Sequence, residues 1–506
     1  MWCQQRARKL MIKMNKDFLF AFVAGLLAVF GFAPYYIWLA PILSLAALFY
    51  LWSQSSHAKQ SFQIGFSFGL GLYVFGIYWI YICLHDFGGM PWWFAGFCTL
   101  CLCAFMALFP AMVGYFSKRL GSLLWSAPVI WALSDWVRSW IFTGFPWLTL
   151  GYSQVPFGPL VGYLPIVGVY GVSMITALIA SLIAYWIVNR NISVFLQRNI
   201  IIAVTFCIVV GLVLKSIEWS SPVGKPIQVA LVQGNINQEI KWSPEYAQST
   251  IDLYLSMVKS THADLIVLPE TALPVVASQL SPEVTQALTQ HAKQNQGDIV
   301  MGVVQYDERT NEYFNSAISY GSAPSQVYSK NHLVPFGEFI PLKAILGWVY
   351  RDWLNMPLSD LSRGGKHQKP MQLGNQKVAV NICYEDVFGE EIIRQLPEAT
   401  MLVNISNDAW YGKSFAANQH MQFSQARAIE TGRMVLRATN TGATVIIDQH
   451  GMELAHAPHD TQMNLTGSAQ GYIGETPYVR WGNWPFIIIS VVIISLLLRN
   501  KMRNNK

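Results

Sequence analysis

Three short stretches hold residues whose types and spacing suit joint chemistry. "LIVLPE" (265–270) ends in Glu270. "VYSKNHLVPFGEFIP" (327–341) supplies Lys330 and then Glu338. "VAVNICYED" (378–386) supplies Cys383 and then Glu385. Each reads as a strand end, the place where an α/β domain delivers a side chain to its site. Singly, such a Glu reads as a cap, such a Lys as surface charge and such a Cys as core. Together they fit acyl transfer. A thiol is mostly protonated near neutral pH and must be activated. A carboxylate can take its proton. An ammonium lowers the thiol pKa and, with a backbone N–H, stabilises an oxyanion. The intermediate would be a thioester. No His is needed, and His332 and His420 read as bystanders. The chain has no HExxH, Walker loop or GxGxxG, so neither a metal nor a cofactor is expected.

The elements that must position these residues are of two kinds. The 506-residue chain is 53% hydrophobic and 12% charged, with a mean hydropathy of +0.32. A soluble protein carries about 25% charged residues. Apolar runs close to the roughly 20 residues that span a bilayer lie at 17–34, 36–53, 61–83, 92–116, 122–142, 160–188 and 199–216, with an eighth at 483–499. The first has the basic flank of a signal peptide, but no small-residue cleavage site follows and the next run begins at once. It reads as a span. The expected organisation is a seven-helix membrane domain over 1–216, a catalytic domain over 217–480, and a C-terminal transmembrane helix with a basic tail over 481–506.

Orientation follows from Lys and Arg. Arg6, Arg8, Lys9, Lys13 and Lys16 precede the first run, and Arg499, Lys501, Arg503 and Lys506 end the chain. Lys59, Lys118, Arg119, Arg190 and Arg198 occupy alternate connections. The other connections, near 35, 84–91 and 143–159, have none. The positive-inside rule places both termini in the cytoplasm and 217–480 on the far side. The net charge of +6 is therefore a topology signal, and no nucleic-acid partner is expected. Cys98, Cys101 and Cys103 lie in an apolar run without His or acid neighbours and read as small buried hydrophobes. Cys383 is alone in the exported region, with no partner there for a disulfide.

Within 217–480, strand-like runs at 227–236, 263–270, 298–306, 314–320, 377–386, 400–408 and 443–451 alternate with helix-like runs near 244–260, 281–296 and 416–432. This predicts a layered α/β domain that does not itself cross the membrane.

The ordered Glu, Lys and Cys of "LPE", "SKNHLVPFGE" and "NICYED" resemble the nitrilase, or carbon–nitrogen hydrolase, superfamily. Seven spans before that domain and one after it resemble its membrane branch, the apolipoprotein N-acyltransferases. "DWVRSWIFTGFPWLTLGYSQ" (135–154), "QGNINQEIKW" (233–242), "GEFIP" (337–341), "SNDAWYG" (406–412) and "RATNTG" (437–442) fit as well. The resemblance implies an αββα sandwich. It implies an acyl chain taken from a phospholipid and passed to the α-amine of a lipoprotein's N-terminal S-diacylglyceryl cysteine, in a bacterial inner membrane with the catalytic domain periplasmic. It implies Glu270 as general base, Lys330 as stabiliser of the tetrahedral intermediate and Cys383 as nucleophile. Glu338 and Glu385 match further essential acids, and Trp242 and Tyr384 match other functional positions. A monomer is expected.

Two more segments bear on this reading. "LKAILGWVYRDWLNMPLSDL" (342–361) carries Trp348, Tyr350 and Trp353, which suits either a core helix or a mobile arm at the membrane interface. Asp135 and Arg138 are three apart in an apolar run and share a helix face. They suit either a structural ion pair or a contact to a lipid headgroup. Two competing functions use the same residues. One is a membrane-tethered amidase acting on a small soluble substrate. The other is a receptor built on an inactive hydrolase domain, against which the intact Glu270, Lys330 and Cys383 argue.

Overall fold

The computed structural model describes residues 16–189, 192–341 and 360–504. The chain divides into two units, one of residues 1–78, 93–217 and 481–506, the other of residues 79–92 and 218–480.

The first unit is helical, and every apolar run named above contains helix. The helices are α1 (16–28), α2 (Leu39–Gln54), α3 (Ala58–Gly76), α4 (Trp92–Leu120), α5 (Leu123–Arg138), α6 (Leu164–Val188), α7 (Val194–Lys215) and a C-terminal helix, Trp484–Asn504. Among the described residues, four helices are long and apolar enough to cross a membrane, or five if α3 and the helical turns that follow it count as one bent span. The others are shorter than the expected runs. The described part of α1 ends in a 3₁₀ turn at Val29–Gly31, and α5 gives way to irregular backbone after Arg138. The run expected as one span over 61–83 is broken after Gly76, where the helix axis turns by 52°. The large apolar side chains of α7, among them Ile201, Ile202, Phe206 and Val213, are exposed. Such a face is stable only against lipid or another protein surface.

The second unit holds two six-stranded sheets. The strands are β1 (Ser220–Gln233), β2 (Leu265–Val267), β3 (Asp298–Asp307), β4 (Glu312–Gly321), β5 (Val327–Ser329), β6 (Met371–Leu373), β7 (Gln376–Ile382), β8 (Met401–Ser406), β9 (Val435–Thr439), β10 (Val445–Ile447), β11 (Glu453–His456) and β12 (Met463–Gly474). One sheet runs β12-β1-β2-β3-β4-β5 and the other β11-β10-β9-β8-β7-β6. Each has three parallel strands at its centre, β1-β2-β3 and β7-β8-β9, and antiparallel strands outside them.

Strand periodicity explains the layering. Side chains alternate between faces, and both faces of these strands are apolar, so each sheet is buried twice. Val229, Leu231, Val267 and Val300 of one sheet meet Val378, Val380, Ile382 and Val403 of the other. The alternate residues Ala230, Val232 and Ile266 pack under helices α8 (Pro244–Lys259) and α9 (Pro282–Gln294). Ala379, Leu402 and Val435 pack under α10 (Ala416–Thr431). The result is the four-layer αββα sandwich. The strands β6, β9, β11 and β12 were not among the expected runs.

Candidate active site

The site forms where strands from both sheets end. Glu270 stands three residues beyond β2, Lys330 follows β5 directly, and Cys383 follows β7 directly. Cys383 opens the 3₁₀ turn Cys383–Val387 with φ +54°. This left-handed conformation costs a non-glycine residue about 1–3 kcal/mol, so the surroundings must hold it. They do so at the backbone. The Cys383 carbonyl accepts from Asn404 Nδ2 and lies against His420 Nε2, both at 3.2 Å. Glu385, two residues on, accepts from the Ile382 N–H at 2.8 Å and ties the turn to the strand.

The structure brings Glu270, Lys330 and Glu338 together. Lys330 Nζ lies 2.8 Å from Glu338 Oε1 and 3.4 Å from Glu270 Oε1. Asn315 of β4 donates from Nδ2 to both carboxylates, at 2.7 Å to Glu270 and 2.9 Å to Glu338. The Val334 N–H holds the other Glu338 oxygen at 2.8 Å. Lys330 is 1% exposed. Burial alone would strip its proton, but Glu338 and then Glu270 outweigh burial and hold the ammonium well above its usual range. Cys383 is 8% exposed. Burial pushes its thiol up, Glu270 pushes it further, and Lys330 pulls it down without overcoming them. Charge proximity suggests a lowered thiol pKa; the structure reverses this, because desolvation is the larger effect. The buried thiol is therefore harder to ionise than a free one, and making it a nucleophile requires a base to take its proton.

Glu385 accepts four hydrogen bonds, from the N–H groups of Ile382, Asn331 and His332 and from Tyr328 Oη. Burial raises its pKa while those amides pull it back. It thereby fastens the Lys330 loop to the Cys383 turn. Tyr384 is buried, its ring 5.8 Å from His332 and 5.1 Å from Phe388. Trp242 is half-buried. Trp348, Tyr350 and Trp353 lie outside the described residues. Asp135 and Arg138 belong to the helical unit, not to this site. They pair at 2.9 Å, with Arg138 also donating to the carbonyls of Phe145 and Trp147 and to Thr149, and Asp135 accepting from the Leu150 N–H and Ser173.

Several residues of the site carried no assignment from sequence. Asn315 is one. Lys241, beside Trp242, is another: it donates to the Glu270 carbonyl and to Thr271. Behind Cys383 lies a buried charged cluster of Asp386, Asp408, His420 and Arg437. His420 Nδ1 is 2.9 Å from Asp408 and Nε2 is 3.0 Å from Asp386. Arg437 bridges the same two carboxylates, at 2.9 Å to Asp386 and 3.1 Å to Asp408. The signals were faint but present. Arg437 is charged inside an apolar strand, and α10, "AANQHMQFSQARAIET", is polar yet buried over almost its whole length.

The N-terminal half matches the family model of the apolipoprotein N-acyltransferase N-terminal domain over residues 24–182. Residues 228–478 match the model of the carbon-nitrogen hydrolases. The "Apolipoprotein N-acyltransferase" of Nitrosomonas europaea is 46% identical over 481 residues, covering 94% of this chain and 96% of its own. That of Chromobacterium violaceum is 42% identical over 486 residues, covering 94% and 93%. Among solved structures, Saccharomyces cerevisiae Nit3, of the nitrilase superfamily, covers 49% of this chain and 93% of its own at 17% identity, with a TM-score of 0.37. On the curated relatives, matched end to end, and on both models, the chain belongs to the apolipoprotein N-acyltransferase family, with a carbon-nitrogen hydrolase domain as its second half.

Proposed function

We propose that this chain N-acylates lipoproteins in two half-reactions through a Cys383 thioester. The observation that carries the reading is the buried Glu270–Lys330–Glu338 cluster at the strand ends, beside a protonated thiol held on a strained turn. Glu270 takes the thiol proton. Sγ attacks the ester carbonyl of a phospholipid acyl chain, and the Lys330 ammonium stabilises the oxyanion. The ester C–O bond breaks, the lysophospholipid alcohol leaves with the proton from Glu270, and the thioester remains. The α-amine of an S-diacylglyceryl cysteine then attacks the thioester. Glu270 takes the amine proton, the C–S bond breaks, and the thiolate is reprotonated as the amide leaves. Glu338 holds the ammonium, and Glu385 holds the nucleophile turn. Tyr384 directly follows the nucleophile, and Trp242 directly follows Lys241, which donates to the Glu270 carbonyl; both would contact substrate.

The membrane supports the choice of donor. Each buried CH₂ of an acyl chain is worth about 0.8 kcal/mol, so a catalytic domain tethered to membrane helices avoids extracting a long chain into water. The Lys and Arg distribution supports cytoplasmic termini, a periplasmic catalytic domain over 217–480 and an inner-membrane location. The acting unit is a monomer, with a membrane domain over 1–216 and an anchor over 481–506.

The test is incubation of the purified chain with labelled phospholipid, followed by mass spectrometry of the Cys383 peptide. A hydroxylamine-labile acyl group should appear there, transfer to a diacylglyceryl lipopeptide on addition, and be missing in Cys383→Ala. Acyl transfer that survives Cys383→Ala would overturn the reading.

A further inference from the structure

Lys241 is a buried charge that the two half-reactions leave unused. It is 2% exposed. Its Nζ donates to the Glu270 carbonyl oxygen at 3.3 Å and to Thr271 Oγ1 at 2.9 Å. Among the described residues it makes no ion pair. Burying an ammonium against neutral oxygens costs several kcal/mol, whereas a methionine would fill the same space without that penalty. The position therefore keeps a cation for what the cation does.

Its surroundings show what that is. Lys330 is shared between two carboxylates, Glu270 and Glu338. The described cluster of two carboxylates on one ammonium carries an excess negative charge against which the Cys383 thiol must ionise, and Lys241 is a second cation that offsets it. Lys241 lies on the backbone of the general base. The titratable groups that act on it are Glu270 and Cys383. Burial outweighs the pull of those two, Glu270 the stronger, and leaves the Lys241 ammonium lowered to about 8. Attraction of this kind is mutual: a cation favoured by an ionised Cys383 favours that ionisation in return. Thr271, which Lys241 also holds, has φ +44°, so the same bonds fix the turn that presents Glu270.

We propose that Lys241 is a positioning residue of acyl transfer, a second buried cation that holds the Glu270–Thr271 turn and lowers the cost of the Cys383 thiolate. The proposal rests on Cys383 as the nucleophile, but its test does not need acyl transfer to occur. The full-length chain in detergent is treated with iodoacetamide from pH 6 to pH 10, and the rate at the Cys383 peptide is read by mass spectrometry. Lys241→Gln keeps donors for Glu270 and Thr271 but not the charge; Lys241→Met keeps neither. With the charge lost, alkylation in Lys241→Gln should be at least about threefold slower than wild type at pH 7, equivalent to half a unit of thiol pKa. The gap should close towards pH 10, where wild-type Lys241 is itself neutral. Lys241→Met should behave the same way. A Lys241→Gln rate equal to wild type at pH 7, or a deficit constant across the pH range, would make Lys241 a neutral clamp and overturn the proposal. Failure here leaves the thioester reading intact, since that reading is decided by the acyl adduct and by Cys383→Ala.

Discussion

Two buried polar clusters flank Cys383, and they differ in charge balance. In front, Glu270 and Glu338 share Lys330. Behind, Asp386 and Asp408 face Arg437 and His420, whose ring nitrogens both point at carboxylate oxygens and so both carry protons. The rear cluster is neutral as a whole, two anions against two cations. The front cluster sets two carboxylates on one directly paired ammonium, and Lys241 reaches it only through the Glu270 backbone and Thr271. A balanced buried network holds its protons fast and can act as structure. The Asp135–Arg138 pair of the helical unit follows the rear pattern: one anion, one cation, and the remaining donors and acceptors taken up by backbone and hydroxyls.

The comparison breaks most sharply at Lys330. Lys330→Met leaves two carboxylates without their shared ammonium and removes the group proposed to stabilise the oxyanion. Acyl transfer to a lipopeptide should fall about 10³-fold, the upper range for losing a preorganised stabiliser, while the rear cluster stays intact. A Lys330→Met variant within tenfold of wild-type activity would mean the front cluster is structural after all.

Arg437 probes the other side. Arg437→Met leaves Asp386 and Asp408 with His420 alone, and removing one partner from a buried charged set costs about 3–5 kcal/mol. The expected result is a marked drop in the thermal unfolding midpoint of the detergent-solubilised chain. An unchanged midpoint combined with lost activity would move Arg437 from scaffold to chemistry.

This division also explains what the sequence could reveal. Glu270, Lys330 and Cys383 were legible because each follows a strand-like stretch, where such domains place reactive groups, and because their order resembles the nitrilase superfamily's. The helices 244–260, 281–296 and 416–432 were legible to within two or three residues, as were most of the central strands. The rear cluster was not. Its members come from the Cys383 turn, the end of β8, α10 and β9, and their meeting depends on a sheet order that local periodicity does not encode. The strands β9 and β12 escaped for the same reason. "MVLRATN" has a charge inside it, and β12 alternates with Gly, Thr and Ser. Lys241 escaped because a lysine before a tryptophan looks like surface charge until the fold buries it. The thiol pKa was misread because spacing shows which charges are near but not how far water has been excluded.

The finest test of the balance is pH. His420 is pushed down by burial and by Arg437, yet Asp386 and Asp408 carry it above its usual value near 6.5. Asp408 is raised by burial, but Arg437 and His420 carry it well below the carboxylate range. A group with a raised folded pKa contributes stability that is complete below its unfolded value and is lost as pH climbs through the folded one. A group with a depressed folded pKa contributes stability above its unfolded value and loses it as pH falls through the folded one. The rear cluster should therefore be firmest from about pH 5 to pH 6.5 and loosen on the alkaline side as His420 gives up a proton. Hydrogen exchange of peptides spanning 383–388 and 416–431, corrected for intrinsic rates, should show protection falling by about fivefold, or ~1 kcal/mol, between pH 6.5 and pH 9. His420→Gln, which cannot change charge, should show less protection at pH 6.5 and no further loss. Protection that is flat in wild type, or that falls equally in both chains, would mean that the rear cluster does not depend on an imidazolium and that its charge balance is not what holds the Cys383 turn.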